Sequence, residues 1–360
     1  GTTNAGADQV LTANSNAAEY TDYHLSPTST GFQIRDTGGN TNTNGNTYIY
    51  MAIRRGPLAA PEDATKVFAI DDSSTTDIGG YTLNSNFPVD FYFFKSKTGG
   101  DSISIPRLTV GDLRFNSTGA EDDRSSVMNF DSNTGVTRTS FQGGIDSVDY
   151  AFRRAPSFFD VVAYTGTGSA RTVSHNLGVV PEMMWIKNRE ASEDWIVYHK
   201  DVGATKYLML SRTNAETTNS TRFNDTAPTA SVFTVGTDQS VNSPSGHGHI
   251  AYLFASVAGV SKVGSYTGNG GTQNIDCGFS SGARFVLIKK TSSSGPWILY
   301  DSVRGINSGT EPQLYLHNNG AQYSSLDEID PYSGGFQVVH DASGYYTNEN
   351  GTSYIFYAIA

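Results

Sequence analysis

The chain has 360 residues, of which 16% are charged, 37% hydrophobic and 12% aromatic, and its formal net charge is −11. That aromatic content with so little charge excludes a disordered chain. The acidic balance, with no basic run beyond the pairs Arg54-Arg55, Arg153-Arg154 and Lys289-Lys290, argues against nucleic acid or an anionic membrane as a partner. No apolar stretch approaches the ~20 residues of a membrane helix. Cys277 is the single cysteine, so no intramolecular disulfide framework exists.

The chain opens on Gly1 within a polar stretch and is read as processed, trimmed or partial. Val10–Ala18, VLTANSNAA, is comparable with LMLSRTNAE at Leu208–Glu216, and GFQI at Gly31–Ile34 precedes YIYMAIRR at Tyr48–Arg55. Residues 1–56 are therefore expected to be the C-terminal part of a β-sandwich module. Half a sandwich leaves strand edges and an apolar face open; either upstream residues missing from the sequence complete it, or, the favoured expectation, a neighbouring subunit or module covers it.

Residues 57–156 are read as a diverged module, with strands in KVFAID at Lys66–Asp71, FYFFKSK at Phe91–Lys97 and LRFN at Leu113–Asn116. A single helical turn is expected at Pro61–Lys66 and another at Ser325–Asp330. VDYAFRRA at Val148–Ala155 repeats the closing YIYMAIRR pattern.

Residues 157–257 and 258–360 are two copies of one unit. VAYTGTG at Val162–Gly168 returns as GSYTGNG at Gly264–Gly270, and EMMWIKN at Glu182–Asn188 as RFVLIKK at Arg284–Lys290. WIVY at Trp195–Tyr198 returns as WILY at Trp297–Tyr300, and FTV at Phe233–Val235 as FQV at Phe336–Val338. Both units finish on an aromatic strand, IAYLFA at Ile250–Ala255 and IFYAIA at Ile355–Ala360. Tyr164 to Tyr266 and Trp195 to Trp297 are each 102 residues apart, one register held over separate motifs. Aromatic and β-branched runs between Gly/Asn/Ser/Thr turns predict an all-β chain of tandem β-sandwich modules of about 100 residues.

The GFQI strand, the Gly/Asn turn and YIYMAIRRGP at Tyr48–Pro57 resemble repeat modules of bacteriophage virion structural and tail-fibre proteins, of the marine-phage type. YTG…HNLGVVPEMMWIKN…WIVYH at Tyr164–His199 is similar to the same modules. The likeness covers residues 157–360 well, 1–56 as a partial module and 57–156 loosely. It implies a virion structural protein, a fibre or appendage subunit contributing to assembly and host-surface attachment. The implied partners are other virion proteins and further copies of the chain, with a homotrimer favoured. Stacked sandwiches would give such a subunit reach and stiffness. No catalytic residue is carried over from the resemblance, and no cofactor or metal is expected.

Several motifs have a chemical reading beside a plain one. GFSSG at Gly278–Gly282 matches the G-x-S-x-G pattern, but a nucleophile elbow needs a helix after it and Arg284–Lys290 reads as a strand. His247 and His249 supply two ligands where structural zinc needs four, so a satisfied loop is the better reading. The acidic clusters Asp71-Asp72, Glu121-Asp122-Asp123 and Asp327-Glu328 lack EF-hand spacing and read as solvated turn charges. Trp195 and Trp297, at one point of the repeat, read as core. Tyr345 and Tyr346 beside Gly344 are the candidates for glycan contact. Two alternatives stand beside the virion reading: a non-catalytic carbohydrate-binding or adhesin-type receptor-binding protein, and a polysaccharide depolymerase.

Overall fold

The computed structural model describes residues 8–22, 25–27, 32–34, 41–53, 59–73, 80–109, 111–122, 128–130, 132–138, 146–340 and 346–360. The chain is all-β, built from antiparallel sheets. Two short pairings, Asp8–Val10 with Tyr20–Asp22 and Leu25–Pro27 with Phe32–Ile34, precede three sandwich units. Each unit contributes eight strands among the described residues.

The three units share one topology. In the first, the large sheet runs Phe68–Ser73, Ser147–Phe152, Phe91–Ser96, Ser102–Pro106, Leu113–Arg114. In the second it runs Phe159–Thr165, Gly248–Phe254, Met183–Asn188, Ile196–His199, Lys206–Met209, with Thr217–Thr218 added at the edge. In the third it runs Ser261–Thr267, Ser353–Ile359, Phe285–Lys290, Trp297–Asp301, Leu314–Tyr315. The closing strand of each unit thus lies between its opening and third strands. A smaller sheet covers one face, for example Thr272–Asp276 with Gly335–Val339 and Ile329–Tyr332 in the third unit.

The closing strands explain why these runs read as apolar on both faces. Successive side chains of a strand point to opposite sides. Ile250, Tyr252 and Phe254 enter one core, while Ala251 and Leu253 enter the core under the small sheet of the second unit. Ile355, Tyr357 and Ile359 enter that same first core, and Tyr354, Phe356 and Ala358 the one under the small sheet of the third unit. Val148, Tyr150 and Phe152 do likewise in the first unit. Each large sheet is therefore buried twice, against its own small sheet and against the other two units.

The three large sheets surround this shared core. Phe91 meets Tyr252 at 4.4 Å between ring centroids, Phe254 meets Tyr357 at 5.0 Å, and Phe285 meets Phe68 at 5.4 Å. These contacts join first to second, second to third and third back to first. The expectation of sandwiches stacked in a row is corrected here. A large sheet with two apolar faces cannot leave one of them in water, and three such faces turned inward satisfy one another.

Polar contacts repeat the same cycle. Lys95, Lys187 and Lys289 hold one position in the third strands, opposite Val148, Ile250 and Ile355, and all three are fully buried. Lys187 Nζ donates to the Thr118 carbonyl of the first unit at 3.1 Å. Lys289 Nζ donates to Thr213 O of the second at 2.9 Å, and Lys95 Nζ to Asn318 O of the third at 2.8 Å. Each also bonds a carbonyl of its own hairpin, such as Gly295 O at 2.6 Å for Lys289. Their hydrogen-bond partners are carbonyls rather than carboxylates, and burial pushes Lys95 and Lys187 down to about 8 and Lys289 to about 7.

Trp195 Nε1 donates to the Arg114 carbonyl and Trp297 Nε1 to the Met209 carbonyl, each at 2.8 Å and each in the fifth strand of the preceding unit. Both rings are buried in the shared core. Tyr164 and Tyr266 also match, one hydroxyl donating to Val241 O and the other to Thr347 O across the unit. Trp297→Ala removes a ring from the junction and leaves the Met209 carbonyl without its donor. A loss of about 3–5 kcal/mol in urea denaturation is expected.

Two local expectations differ from the structure. The turn at Pro61–Lys66 is present as a 3-10 helix at Ala64–Lys66, capped by Asp63, which accepts from Thr65 N. Ser325–Asp330 forms no helical turn; Ile329–Tyr332 pairs as a strand with Gly335–Val339, because Ile329 is buried against Val338 in the small sheet. The closing motif of the partial module is not a paired strand either. Residues 49–53 are not in a strand, and Ile49, Tyr50, Met51 and Ile53 are 99%, 77%, 87% and 84% exposed. In the complete units this motif needs an opening and a third strand on its two sides. Arg54-Arg55 and Pro57 lie outside the described residues.

Candidate functional site

The residues singled out for chemistry fall at separate places. Gly278–Gly282 lies on the loop between Thr272–Asp276 and Phe285–Lys290, so strands flank it on both sides. Its backbone is tied to the facing hairpin: Phe279 N donates to Gly334 O and Gly282 N to Ser333 O. Cys277 beside it is buried, and burial pushes its thiol up to about 12.

His249 is fully buried and stacks on Tyr164 at 5.1 Å. Its Nδ1 faces His247 O at 2.9 Å, and its Nε2 lies 3.4 Å from Ser243 N, so both nitrogens face backbone groups. His247 instead approaches the Asn188 amide at 3.4 Å. Burial lowers the His249 pKa. The two imidazoles are thus used in holding the loop.

Asp71 and Asp72 are exposed, as expected, whereas the other two acidic clusters depart from the expectation of solvated turn charges. Glu121 is paired with Arg189 at 2.6 Å and accepts from Gly111 N, which pins the first unit to the second. Asp123 lies outside the described residues. Asp72 faces Lys97 at the surface. Glu328 is fully buried, accepting from the Tyr300 hydroxyl at 3.0 Å and from Tyr346 N at 3.0 Å. The third unit folds its 324–330 segment inward because the small sheet begins there, at Ile329.

Of the two glycan candidates, Tyr345 lies outside the described residues. Tyr346 is 37% exposed, and its ring lies 6.5 Å from that of Tyr315. Its backbone bond to Glu328 places it next to an acidic cluster of the third unit.

That cluster centres on Glu311, which the sequence reading passed over. Glu311, Asp327 and Asp330 each bring a carboxylate oxygen to within 4.8 Å of the others. Glu311 is fully buried; its Oε2 accepts from Glu328 N at 3.2 Å and Ile329 N at 3.4 Å. Its Oε1 is buried without a hydrogen-bond partner, as is Oδ1 of Asp330. Burial, added to the negative charges of Asp327 and Asp330, pushes Glu311 up to about 8. Sixteen residues separate Glu311 from Asp327, and a lone Glu between Thr310 and Pro312 carries no motif. Only the pairing of two loops brings the three together.

The fold defines a class: an all-β protein whose three like sandwiches close around one core. The chain belongs to the family described as Domain of unknown function (DUF7483), whose model matches residues 108–360. The match begins just before Leu113–Arg114, the fifth strand of the first unit, and runs through both later units. No curated protein matches the chain. No helix among the described residues is long and apolar enough to cross a membrane.

Proposed function

We propose that the protein is a structural component of a phage virion, a fibre or appendage subunit that assembles through its partial N-terminal module and contributes to host-surface attachment. The observation that carries this reading is the exposed segment 49–53. YIYMAI has the sequence of a closing strand, and its counterparts at Val148–Phe152, Ile250–Phe254 and Ile355–Ile359 each sit between two strands. Four large apolar side chains in water, on a segment with strand composition, form a surface suited to strand addition. Strands of another copy or of a neighbouring virion module would supply the missing sides. A three-membered ring already closes within one chain, so self-association through this segment is the form in which an oligomer is retained.

Sedimentation at micromolar concentration tests it, with the double variant Ile49→Asp, Met51→Asp as control. The expected result is self-association of the parent chain and a monomer for the variant, with unchanged melting because these side chains touch little of the fold. A parent chain that stays monomeric and fails to bind other virion proteins would remove the reading. Antibody labelling of whole particles in negative stain then locates the subunit.

The second reading, a receptor-binding protein that holds host glycan without cleaving it, draws on Tyr346, half-exposed beside Tyr315. Glycan-array binding lost on Tyr346→Ala would promote it. A virion location for either reading rests on the resemblance of the repeat.

A further inference from the structure

We propose that Glu311, Asp327 and Asp330 form a calcium site that locks the 302–313 loop of the third unit to its 324–330 segment. The spacing is one that a single hard cation can bridge. Three carboxylate oxygens lie within 4.8 Å of one another, which is the widest separation that two oxygens can have when both touch one Ca²⁺ at about 2.4 Å. All the donors are oxygen, which selects Ca²⁺ over zinc or copper.

The independent observation is Glu311 itself. A fully buried carboxyl oxygen with no hydrogen-bond partner has lost its water with nothing in return. Its other oxygen is held in place by two backbone amides of the facing segment, so the free one is fixed in direction. The charges that bear most on Glu311 are Asp327 and Asp330, both negative. Three carboxylates at this spacing repel one another when all are ionised, and a divalent cation converts the repulsion to attraction. Asp330 Oδ1, also buried without a partner, supplies a second waiting ligand.

The site has a structural consequence. Glu311 N donates to Leu326 O, and its carboxylate accepts from the amides of Glu328 and Ile329. Glu328 in turn holds Tyr300 and Tyr346. A bound ion therefore stiffens the loop that presents Tyr346 to solvent.

The test uses the full chain, stripped with EDTA, and CaCl₂ or MgCl₂ alone as the probe. At 1 mM CaCl₂ the melting temperature is expected to rise by several degrees, with a smaller shift for MgCl₂, and calorimetry is expected to show one ion per chain. Glu311→Gln and Asp330→Asn, each isosteric, are expected to melt cooperatively and to lose the calcium response. An unshifted parent chain with no heat of binding at millimolar calcium overturns the proposal. So does a calcium response that survives in both variants, which places the ion elsewhere. Glu311→Gln that melts higher than the parent, in a protein indifferent to calcium, overturns it too and marks the cluster as carboxyls sharing a proton.

Discussion

Replacing Asp301 by alanine is expected to destabilise the protein by about 3–5 kcal/mol, the largest effect predicted for a single polar side chain. Asp301 is fully buried at the junction of the third unit with the first. Its Oδ2 accepts from Arg304 Nε at 2.6 Å and from the Tyr150 hydroxyl of the first unit at 2.7 Å. Removing the carboxylate leaves the buried Arg304 guanidinium with Leu299 O at 3.1 Å and the Gln322 side chain at 3.4 Å, but without a counter-charge. Tyr150→Phe gives up one hydrogen bond and should lose only about 1 kcal/mol. The double variant Asp301→Ala, Arg304→Leu should recover a large part of the loss, since no bare charge then remains. Urea denaturation reads all three. A loss below 1 kcal/mol for Asp301→Ala would show that this junction is hydrated and contributes little.

The second large effect is on acid stability. His199 is fully buried, its Nδ1 accepting from Asp201 N at 3.2 Å, with the Asp201 carboxylate 3.9 Å away. Burial holds the imidazole down at about 4 despite the nearby carboxylates of Asp201 and Glu182. In the unfolded chain the group titrates at about 6.5. Between those values the unfolded state binds a proton that the folded state refuses, so stability rises with pH through the window. The contribution is fully present above about 6.5, is lost progressively as pH falls, and has no further slope below about 4. Across the window the shift is equivalent to about 3 kcal/mol. Burial also lowers His175, His249 and His317, which add slope in the same direction. His199→Gln should flatten the stability profile between pH 7 and 4.5 relative to the parent. Parallel profiles would mean that His199 is solvated enough to protonate in the folded state.

Much of the sandwich was legible because its strands are buried on both faces and leave unbroken apolar runs. FYFFKS, MMWIKN and FVLIKK announce third strands, and IAYLF and IFYAI closing strands, whatever covers them. The same property concealed the arrangement of the units. A run apolar on both faces states that two partners exist but not which, so a stack and a ring were equally compatible with it. The cue lay in the lysine one residue before the end of each third strand, since a repeated charge inside an apolar strand has to find polar groups beyond its own sheet. Trp195 and Trp297 could be placed in the core from their spacing, whereas their bonds to Arg114 and Met209 depend on tertiary approach.

The candidate site was less legible. Asp327-Glu328 stood out as a pair, but Glu311 sits alone sixteen residues earlier, and its burial follows from loop packing that no periodicity encodes. Exposure of Ile49–Ile53 could be read only as an uncovered edge, because the motif itself is the same one that is buried three times over.

Joining three like sheets through one polypeptide has a genetic consequence that an association of three identical chains would lack. A mutation in a homomeric ring strikes every corner at once, whereas here each corner varies alone. The position of Asp301 is His199 in the second unit and Pro106 in the first, read from their pairing with Phe285, Met183 and Phe91. Ser102 stands where the other two units have tryptophan, opposite Lys95 as Trp297 is opposite Lys289. The acidic triad likewise belongs to one corner. A single polypeptide thus keeps the symmetry in its backbone while departing from it, residue by residue, in its chemistry.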